Sequence, residues 1–492
     1  MTVPGVEVRA SWNTPETLEV LGRCWDEDRS VLLLNPAVPG LSSTEDWLGD
    51  LGLPRGFKVQ SGRLRGRAND IFLEGLEPGF HLFLLTSGTT GAPRLVALDR
   101  RSVQWNVEAV AGHLELESGI EVVLHVPVFH AFGAVLCFFL SRIFGGSVRP
   151  FHRFETGAFL WGLTGLTGLT GLTGLTGPVG PLEGARPAEL TGGVGTAGPE
   201  SGAPLLLPFV PAMIRGLPEP HELPAVARER LERVRGVSIS GGDLVLRSDL
   251  ERLQRLLPGV RHTVGYGLTE AGPALTHTKP GVLSEPGILS EPGIFSRPGI
   301  SAMDGDIGEP LPGVELSPPP AVDGGGRCFR SPGQAVAIRS PGDAGWQRVR
   351  GRFLPTGDDL GHRDDGRLYF RGRSAWSFKR RGEMISPALV ESTIRRLWLE
   401  SGVDILLPEV VVAPAPDEGL TLLMEGGKVE DPGGMERVER ERGKLEQELG
   451  PLLESLPTIF RPSELRWVGP FPRNALGKVQ RRELLNALLQ SR

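Results

Sequence analysis

The segment Leu82–Val96 reads LFLLTSGTTGAPRLV, in which an apolar strand runs into Thr86, Ser87, Gly88, Thr89, Thr90 and Gly91 and then into Ala92, Pro93 and Arg94. Such a loop presents successive backbone N–H groups and hydroxyls with little side-chain bulk in the way, which is what wrapping phosphate oxygens requires. It is not a Walker loop, because GxxxxGK(S/T) occurs nowhere in the chain. A solvated glycine-rich turn has the same composition, so the loop acquires meaning only from its companions. The second constellation is Gly265-Tyr266-Gly267-Leu268-Thr269-Glu270, and the chain has only two tyrosines, Tyr266 and Tyr369. Five positions there hold a ring to flank a base, a hydroxyl to touch a phosphate and a carboxylate to hold a magnesium ion. The third is Pro355-Thr356-Gly357-Asp358, followed about fifteen residues later by Gly372-Arg373. Asp358 is able to accept from a ribose diol or to cap its own turn, and Arg373 is a forked donor for a sugar or a phosphate. The fourth, Pro472-Arg473-Asn474-Ala475-Leu476-Gly477-Lys478, sets a lysine on a glycine-containing turn before a helix. With six lysines in 492 residues, chance occupancy of a given position is about one in eighty.

The elements that must position these residues read as α/β. Val122–Val126 is a buried strand that ends at Pro127 and leads to His130. Val237 and Ile239 alternate with polar residues as a short strand. Leu246, Leu250, Leu253 and Leu257 then recur at helical spacing until Pro258-Gly259 stops the helix. The next strand, His262–Val264, delivers Gly265 and Tyr266 at its C-terminal end, where open α/β sheets place ligands. Arg481–Leu489 is a helix with Leu484, Leu485, Leu488 and Leu489 on one face. A length of 492 residues allows two to three domains with a real core.

Lys plus Arg is 53 and Asp plus Glu is 59, a net charge of −6, which argues against nucleic acid as a partner. Gly (68) and Pro (43) make up about 23% of the chain against roughly 12% in average usage. Part of that excess is low-complexity sequence. Gly162–Gly177 is five GLT triplets and a glycine, and a Gly/Pro/Ala-rich stretch continues to about Ala203. A three-residue period suits neither helix nor strand, so the expectation is a flexible insertion. A six-residue repeat begins at Pro280, Pro286, Pro292 and Pro298 and reads as successive turns or as a short β-solenoid. Cys24, Cys137 and Cys328 lie in no disulfide or zinc spacing. The N-terminus has no leader pattern and no apolar run is long enough to span a bilayer, so a cytoplasmic protein without a transmembrane segment is expected.

Taken in order, these segments resemble the adenylate-forming (AMP-binding) superfamily, which includes acyl-CoA and acyl-ACP synthetases, aryl-CoA ligases and peptide-synthetase adenylation domains. The resemblance runs from about Phe80 to Gln490. It also includes Val126-Pro-Val-Phe-His-Ala-Phe-Gly133, Ser240-Gly-Gly-Asp243 and Gly305-Asp-Ile-Gly-Glu-Pro-Leu-Pro-Gly313. It implies an α/β fold with a large multi-sheet N-terminal domain, residues 1–373, which binds ATP and acid and carries the insertion at about 162–203. Residues 374–492 would form a small mobile α+β lid. The implied reaction is attack of a carboxylate on the α-phosphate of ATP, release of pyrophosphate, and transfer of the acyl group from the adenylate to CoA or a phosphopantetheine thiol.

By that resemblance Thr86–Gly91 and Arg94 hold the β- and γ-phosphates, Thr269 contacts the α-phosphate, and Glu270 coordinates Mg2+. Tyr266 and Gly267 lie beside adenine, and Gly241 and Gly242 let backbone approach the ring. Asp358 and Arg373 hold the ribose, and Lys478 meets the substrate carboxylate and α-phosphate. Gly382 leaves room for the thiol. His130 either faces the acid or is a structural histidine, and Phe132, Val135, Leu136 and Phe138 line an acyl tunnel or are core.

There are departures: Ala375 stands where relatives carry a hinge Asp or Lys, and Arg94 where they carry Lys. The stretch before the phosphate loop is short, and the GLT tract replaces a helix. The segment Gly372–Ser386 looks closest to fatty acyl-ACP synthetase relatives, which points to a fatty acid and brings in acyl carrier protein as a candidate partner. Two alternatives stand beside this reading. One is an adenylation module for an amino or aryl acid, for which Asp243 is the nearest carboxylate to meet an ammonium. The other is a nucleotide-binding paralogue impaired in turnover.

Overall fold

A computed structural model describes residues 6–36, 58–60, 63–65, 73–86, 94–166, 204–281, 305–317, 327–340, 342–362, 366–380, 383–403, 405, 407–415, 419–426, 432–474 and 478–490. Ser87, Gly88, Thr89, Thr90, Gly91 and Gly382, most of the GLT tract, and the six-residue repeat beyond Gly281 lie outside them.

The first half builds two sheets with helices between them. In the six-stranded sheet, Glu7–Ala10, Val31–Leu34 and His81–Thr86 run parallel, and Arg94–Asp99 turns back antiparallel to His81–Thr86. The strand period decides its two faces. Leu82, Leu84, Val96 and Leu98 point into the main core, whereas Phe83, Leu95 and Ala97 pack with Val8, Leu32 and Leu34 on the opposite side.

The nine-stranded sheet has a parallel half ordered Val260–Tyr266, Gly236–Gly241, Leu205–Phe209, Glu121–Leu124 and Ser147–Pro150. Its other half is antiparallel, through Thr276–His277, Asp306–Pro310, Leu368–Arg373 and Asp358–His362. The central parallel strands Gly236–Gly241, Leu205–Phe209 and Glu121–Leu124 are almost wholly buried, as strands covered on both faces must be.

Local signals set the helices. Asp99 caps the helix Arg100–His113 by accepting from the Ser102 N–H at 2.8 Å, and Thr14 caps Pro15–Asp26 through the Thr17 N–H. Leu250, Leu253 and Leu256 form the buried stripe of the expected helix, which spans Arg247–Leu256, with Leu246 and Leu257 as its flanking caps. The apolar run Ala131–Leu140 is helical with a π-segment at Ala134–Phe139, and Val135, Leu136 and Phe138 belong to the core.

The C-terminal segment has hydrophobic clusters of its own. Ile385, Val390, Ile394, Trp398, Leu420, Leu422, Leu449 and Phe460 pack together without a partner from the first 370 residues. Its three-stranded sheet is Val410–Ala415, Gly419–Glu425 and Glu464–Val468, flanked by helices Pro387–Glu400, Pro432–Ser455 and Arg481–Gln490. Among the described residues no helix is long and apolar enough to cross a membrane.

Candidate active site

Strand ends bring residues of three of the four motifs into one cleft, and the described residues of the Leu82–Val96 segment do not line it. Gly242, Tyr266, Gly267, Asp358, Arg373 and Lys478 line it together, with Asp243 and Phe370 in its wall. Asp358 opens one strand directly opposite Arg373, which closes the next. Its carboxylate is 1% exposed, accepts from the Tyr266 hydroxyl at 2.8 Å through Oδ2, and pairs with Arg373 Nε at 3.0 Å through Oδ1. The turn-capping alternative for Asp358 is therefore not what its side chain does. Thr356 supplies the turn bond instead, accepting from the Asp358 N–H at 3.2 Å. Burial pushes the Asp358 carboxyl up, against the opposing pull of Arg373 and Tyr266. Burial, and then the charge of Asp358, push the Tyr266 phenol well above 10.

Lys478 enters this cleft from the other end of the chain. Its N–H donates to Asn474 Oδ1 at 3.0 Å and its carbonyl accepts from the Asn474 N–H at 2.9 Å, which closes the turn that presents it. The following helix is tied down by Arg481, which bonds Glu391 on the helix Pro387–Glu400. The Lys478 ammonium then lies 3.6 Å from Asp243 Oδ2. Packing disfavours ionisation of Asp243, but Lys478, the Leu244 N–H, Arg481 and Arg215 outweigh it and hold the carboxyl below its usual range.

His130 sits at the N-terminus of the helical run, with Nε2 shut off from solvent and without a hydrogen-bond partner among the described residues. Burial, assisted by the nearby Lys478 charge, lowers it to about 4, so the ring is neutral at pH 7.

At the mouth of the Ser87–Pro93 loop, Thr86 and Arg94 face each other in register. Arg94 Nη2 donates to Glu270 Oε1 at 2.6 Å, and Glu270 lies with Thr269 on a short 3-10 turn. Among the described residues no cluster of three His, Cys, Asp or Glu groups exists. A lone carboxylate fits Mg2+, which keeps its waters and takes most other ligands from substrate phosphates.

Three glycines have reasons of their own. A Cβ at Gly241 would meet the Gly265 carbonyl oxygen at 2.5 Å and one at Gly267 the Pro273 carbonyl oxygen at 1.5 Å, while Gly242 has φ +83°. Of the expected glycine pair, Gly242 lines the cleft, whereas Gly241 serves the close packing of neighbouring strands.

Two buried asparagines escape sequence reasoning. Asn13, 2% exposed, donates to the carbonyls of Val126 (3.0 Å) and Phe151 (3.1 Å) and accepts from the Val128 N–H (2.9 Å), so it fixes the approach to His130. Asn106, fully buried, donates to Ser102 and Gly333 carbonyls and accepts from the Ala274 N–H at 2.9 Å, so it fixes the turn after Glu270. Asparagine in a helix or a loop is ordinarily a surface residue, and nothing in the sequence marks these two.

The family model for AMP-binding enzymes matches residues 81–176. Over those residues the chain is similar to AMP-binding enzymes. The chain is 27% identical over 303 residues to an anthranilate–CoA ligase of Pseudomonas aeruginosa, a match covering 57% of the chain and 50% of that relative. It is 26% identical over 411 residues to a sulfoacetate–CoA ligase of Cupriavidus necator, covering 82% of the chain and 66% of the relative. The matches thus span about half to two thirds of these relatives' length.

Among solved structures, ATP-bound MatB of Rhodopseudomonas palustris shares the fold with a TM-score of 0.64 at 17% identity, covering 99% of this chain and 89% of that one. The o-succinylbenzoate CoA synthetase of Bacillus subtilis, in complex with an acyl-adenylate, does so with a TM-score of 0.63 at 18% identity, covering 98% and 88%.

Proposed function

We propose that the protein is an AMP-forming acid–CoA ligase, which activates a carboxylic acid with ATP and passes the acyl group to the CoA thiol. The observation that carries this is the meeting of Lys478 with Tyr266, Asp358 and Arg373 in one cleft, from segments more than a hundred residues apart. Two carboxylate oxygens offer about four lone pairs. Tyr266 and Arg373 use part of that capacity at Asp358, and the rest is free to receive a ribose diol. A neutral His130 is able to donate to the acid without adding charge. Lys478 adds a positive charge where the attacking carboxylate oxygen closes on the α-phosphorus and the bond to pyrophosphate breaks. In the second half-reaction the thiol sulfur attacks the acyl carbonyl and AMP leaves. Catalysis on this account is positioning and electrostatics. Mg2+ would be held by Glu270 and would offset triphosphate charge.

Residues 1–373 are read as the adenylation domain and 374–492 as a lid that delivers Lys478 for the first step. The separate C-terminal hydrophobic cluster supports that boundary. For the acid, relatives named for anthranilate and sulfoacetate favour a small acid, and the fatty acid and carrier protein suggested by Gly372–Ser386 find no support in those names. Packing of Val135, Leu136 and Phe138 into the core also removes them as tunnel residues. An amino acid fits less well, since Asp243, the carboxylate its ammonium would need, already faces Lys478. Hydroxylamine trapping of acyl-hydroxamates over aryl, short aliphatic, fatty and amino acids tests this reading. Acid-dependent product with small acids is expected, and no product from any acid overturns it.

A further inference from the structure

Beside the paired strand ends Thr86 and Arg94 stand one carboxylate already occupied and two idle polar groups. Arg94 reaches Glu270 at 2.6 Å with Nη2, and Glu270 is only 12% exposed. The Arg94 Nε and the Thr86 hydroxyl across from it are both shut off from solvent and have no hydrogen-bond partner among the described residues. A buried polar group without a partner is costly, so this arrangement favours a ligand that satisfies it.

We propose that Arg94 is a displaceable counter-ion for Glu270. Without nucleotide it neutralises the carboxylate, and an entering triphosphate takes the guanidinium for itself and leaves Glu270 to a divalent cation. The inference rests on the nucleotide reading of the site and adds an order of events to it. A carboxylate 2.6 Å from a guanidinium does not also hold a metal ion, because the cation would face a positive charge at close range. A carboxylate this buried, in turn, is costly with no counter-ion at all. Phosphate oxygens outbid one carboxylate for a forked donor, and Nε together with Thr86 Oγ supplies the extra donors they would engage. An ammonium in place of Arg94 would be a point charge with no second donor arm to leave idle, so the substitution of Arg for the family's Lys acquires a purpose. The result is coupling. Metal-free ATP must pull Arg94 away from Glu270 and expose that carboxylate to its own phosphates, and a bare cation must displace Arg94. Each binds weakly alone and strongly with the other.

Titration calorimetry of the whole protein with ATP in EDTA, and again with Mg2+, tests this on the wild type, Glu270→Gln, Arg94→Met and the double variant. Glu270→Gln is expected to bind metal-free ATP at least tenfold more tightly than the wild type, because Arg94 is released. It should also lose most of the tightening that Mg2+ gives the wild type. In the Arg94→Met background the Glu270→Gln gain should vanish, which separates release of Arg94 from simple removal of a negative charge. If the wild type binds Mg-ATP but Glu270→Gln gains nothing in EDTA, or if the gain survives in the double variant, the counter-ion role is wrong and the nucleotide reading stands. If the wild type binds no ATP with or without Mg2+, both are overturned. Glu270→Ala, with a thermal melt of each variant, guards against a fold defect, since it should show the same metal-free gain.

Discussion

At the Tyr266 end of the cleft, Asp358 already accepts from a phenol and pairs with Arg373, and Lys478 already faces Asp243. Around the Thr86–Arg94 strand pair, outside that cleft's lining, one ion pair holds Glu270 while Arg94 Nε and the Thr86 hydroxyl have no hydrogen-bond partner among the described residues. The first corner is organised by the protein's own bonds, which on the proposed reading a nucleotide would exchange for its own. The second is left to be organised by the ligand. Different sheets support them: Thr86 and Arg94 stand at strand ends of the six-stranded sheet, whereas Tyr266, Asp358 and Arg373 stand at strand ends of the nine-stranded one. A sugar presents fixed hydroxyls that a rigid wall can meet, whereas a triphosphate arrives with its own charge and counter-ion.

The comparison breaks most visibly at Lys478. Lys478→Ala is expected to lower adenylate formation roughly 10²–10³-fold while thioester formation from supplied acyl-adenylate is largely spared. Equal loss in both half-reactions would remove Lys478 from the prearranged corner. Asn13→Ala comes next. It strips the bonds to the Val126 and Phe151 carbonyls and the Val128 N–H, and a loss of about 1–3 kcal/mol is expected in urea unfolding, with a raised KM for the acid. Unchanged stability would show that the His130 segment holds itself.

A smaller effect is read through pH. His130 is lowered to about 4 from an ordinary 6.5, so below pH 6.5 the unfolded chain takes up a proton that the folded protein refuses until about pH 4. Stability therefore falls across that window by about 1.4 kcal/mol per pH unit for this group. His130→Gln should flatten the unfolding-versus-pH curve by that amount, and superimposable curves would contradict its burial. The smallest change belongs to Asp243→Asn. An ion pair at 3.6 Å with both side chains a third to a half exposed is worth less than about 1 kcal/mol, so adenylation should fall less than tenfold. A larger drop would make Asp243 a partner in the chemistry itself.

Part of the self-organised corner is legible in the sequence, because two tyrosines and six lysines leave little background for Tyr266 and Lys478, whereas Asp358 and Arg373 are marked only by their motifs. The strand Gly236–Gly241, the helix after it and the strand Val260–Tyr266 follow from period and from stop signals at Pro258-Gly259. What stays hidden is whatever depends on burial across long sequence distances. Asn13 and Asn106 look like surface residues until the fold closes around them. The Arg94–Glu270 pair joins positions 176 residues apart, with no local pattern to announce it. The expectation that Gly241 and Gly242 let backbone approach the ring does not foresee that the space at Gly241 is taken by the Gly265 carbonyl of the neighbouring strand.

The central claim is tested most directly by acid-dependent exchange of labelled pyrophosphate into ATP, run over a panel of small aryl and aliphatic acids with the wild type and Lys478→Ala. The account predicts exchange that requires both an acid and Mg2+, needs no CoA, and disappears with Lys478. Exchange that proceeds without an acid or persists undiminished in Lys478→Ala, or its absence with every acid, would contradict it.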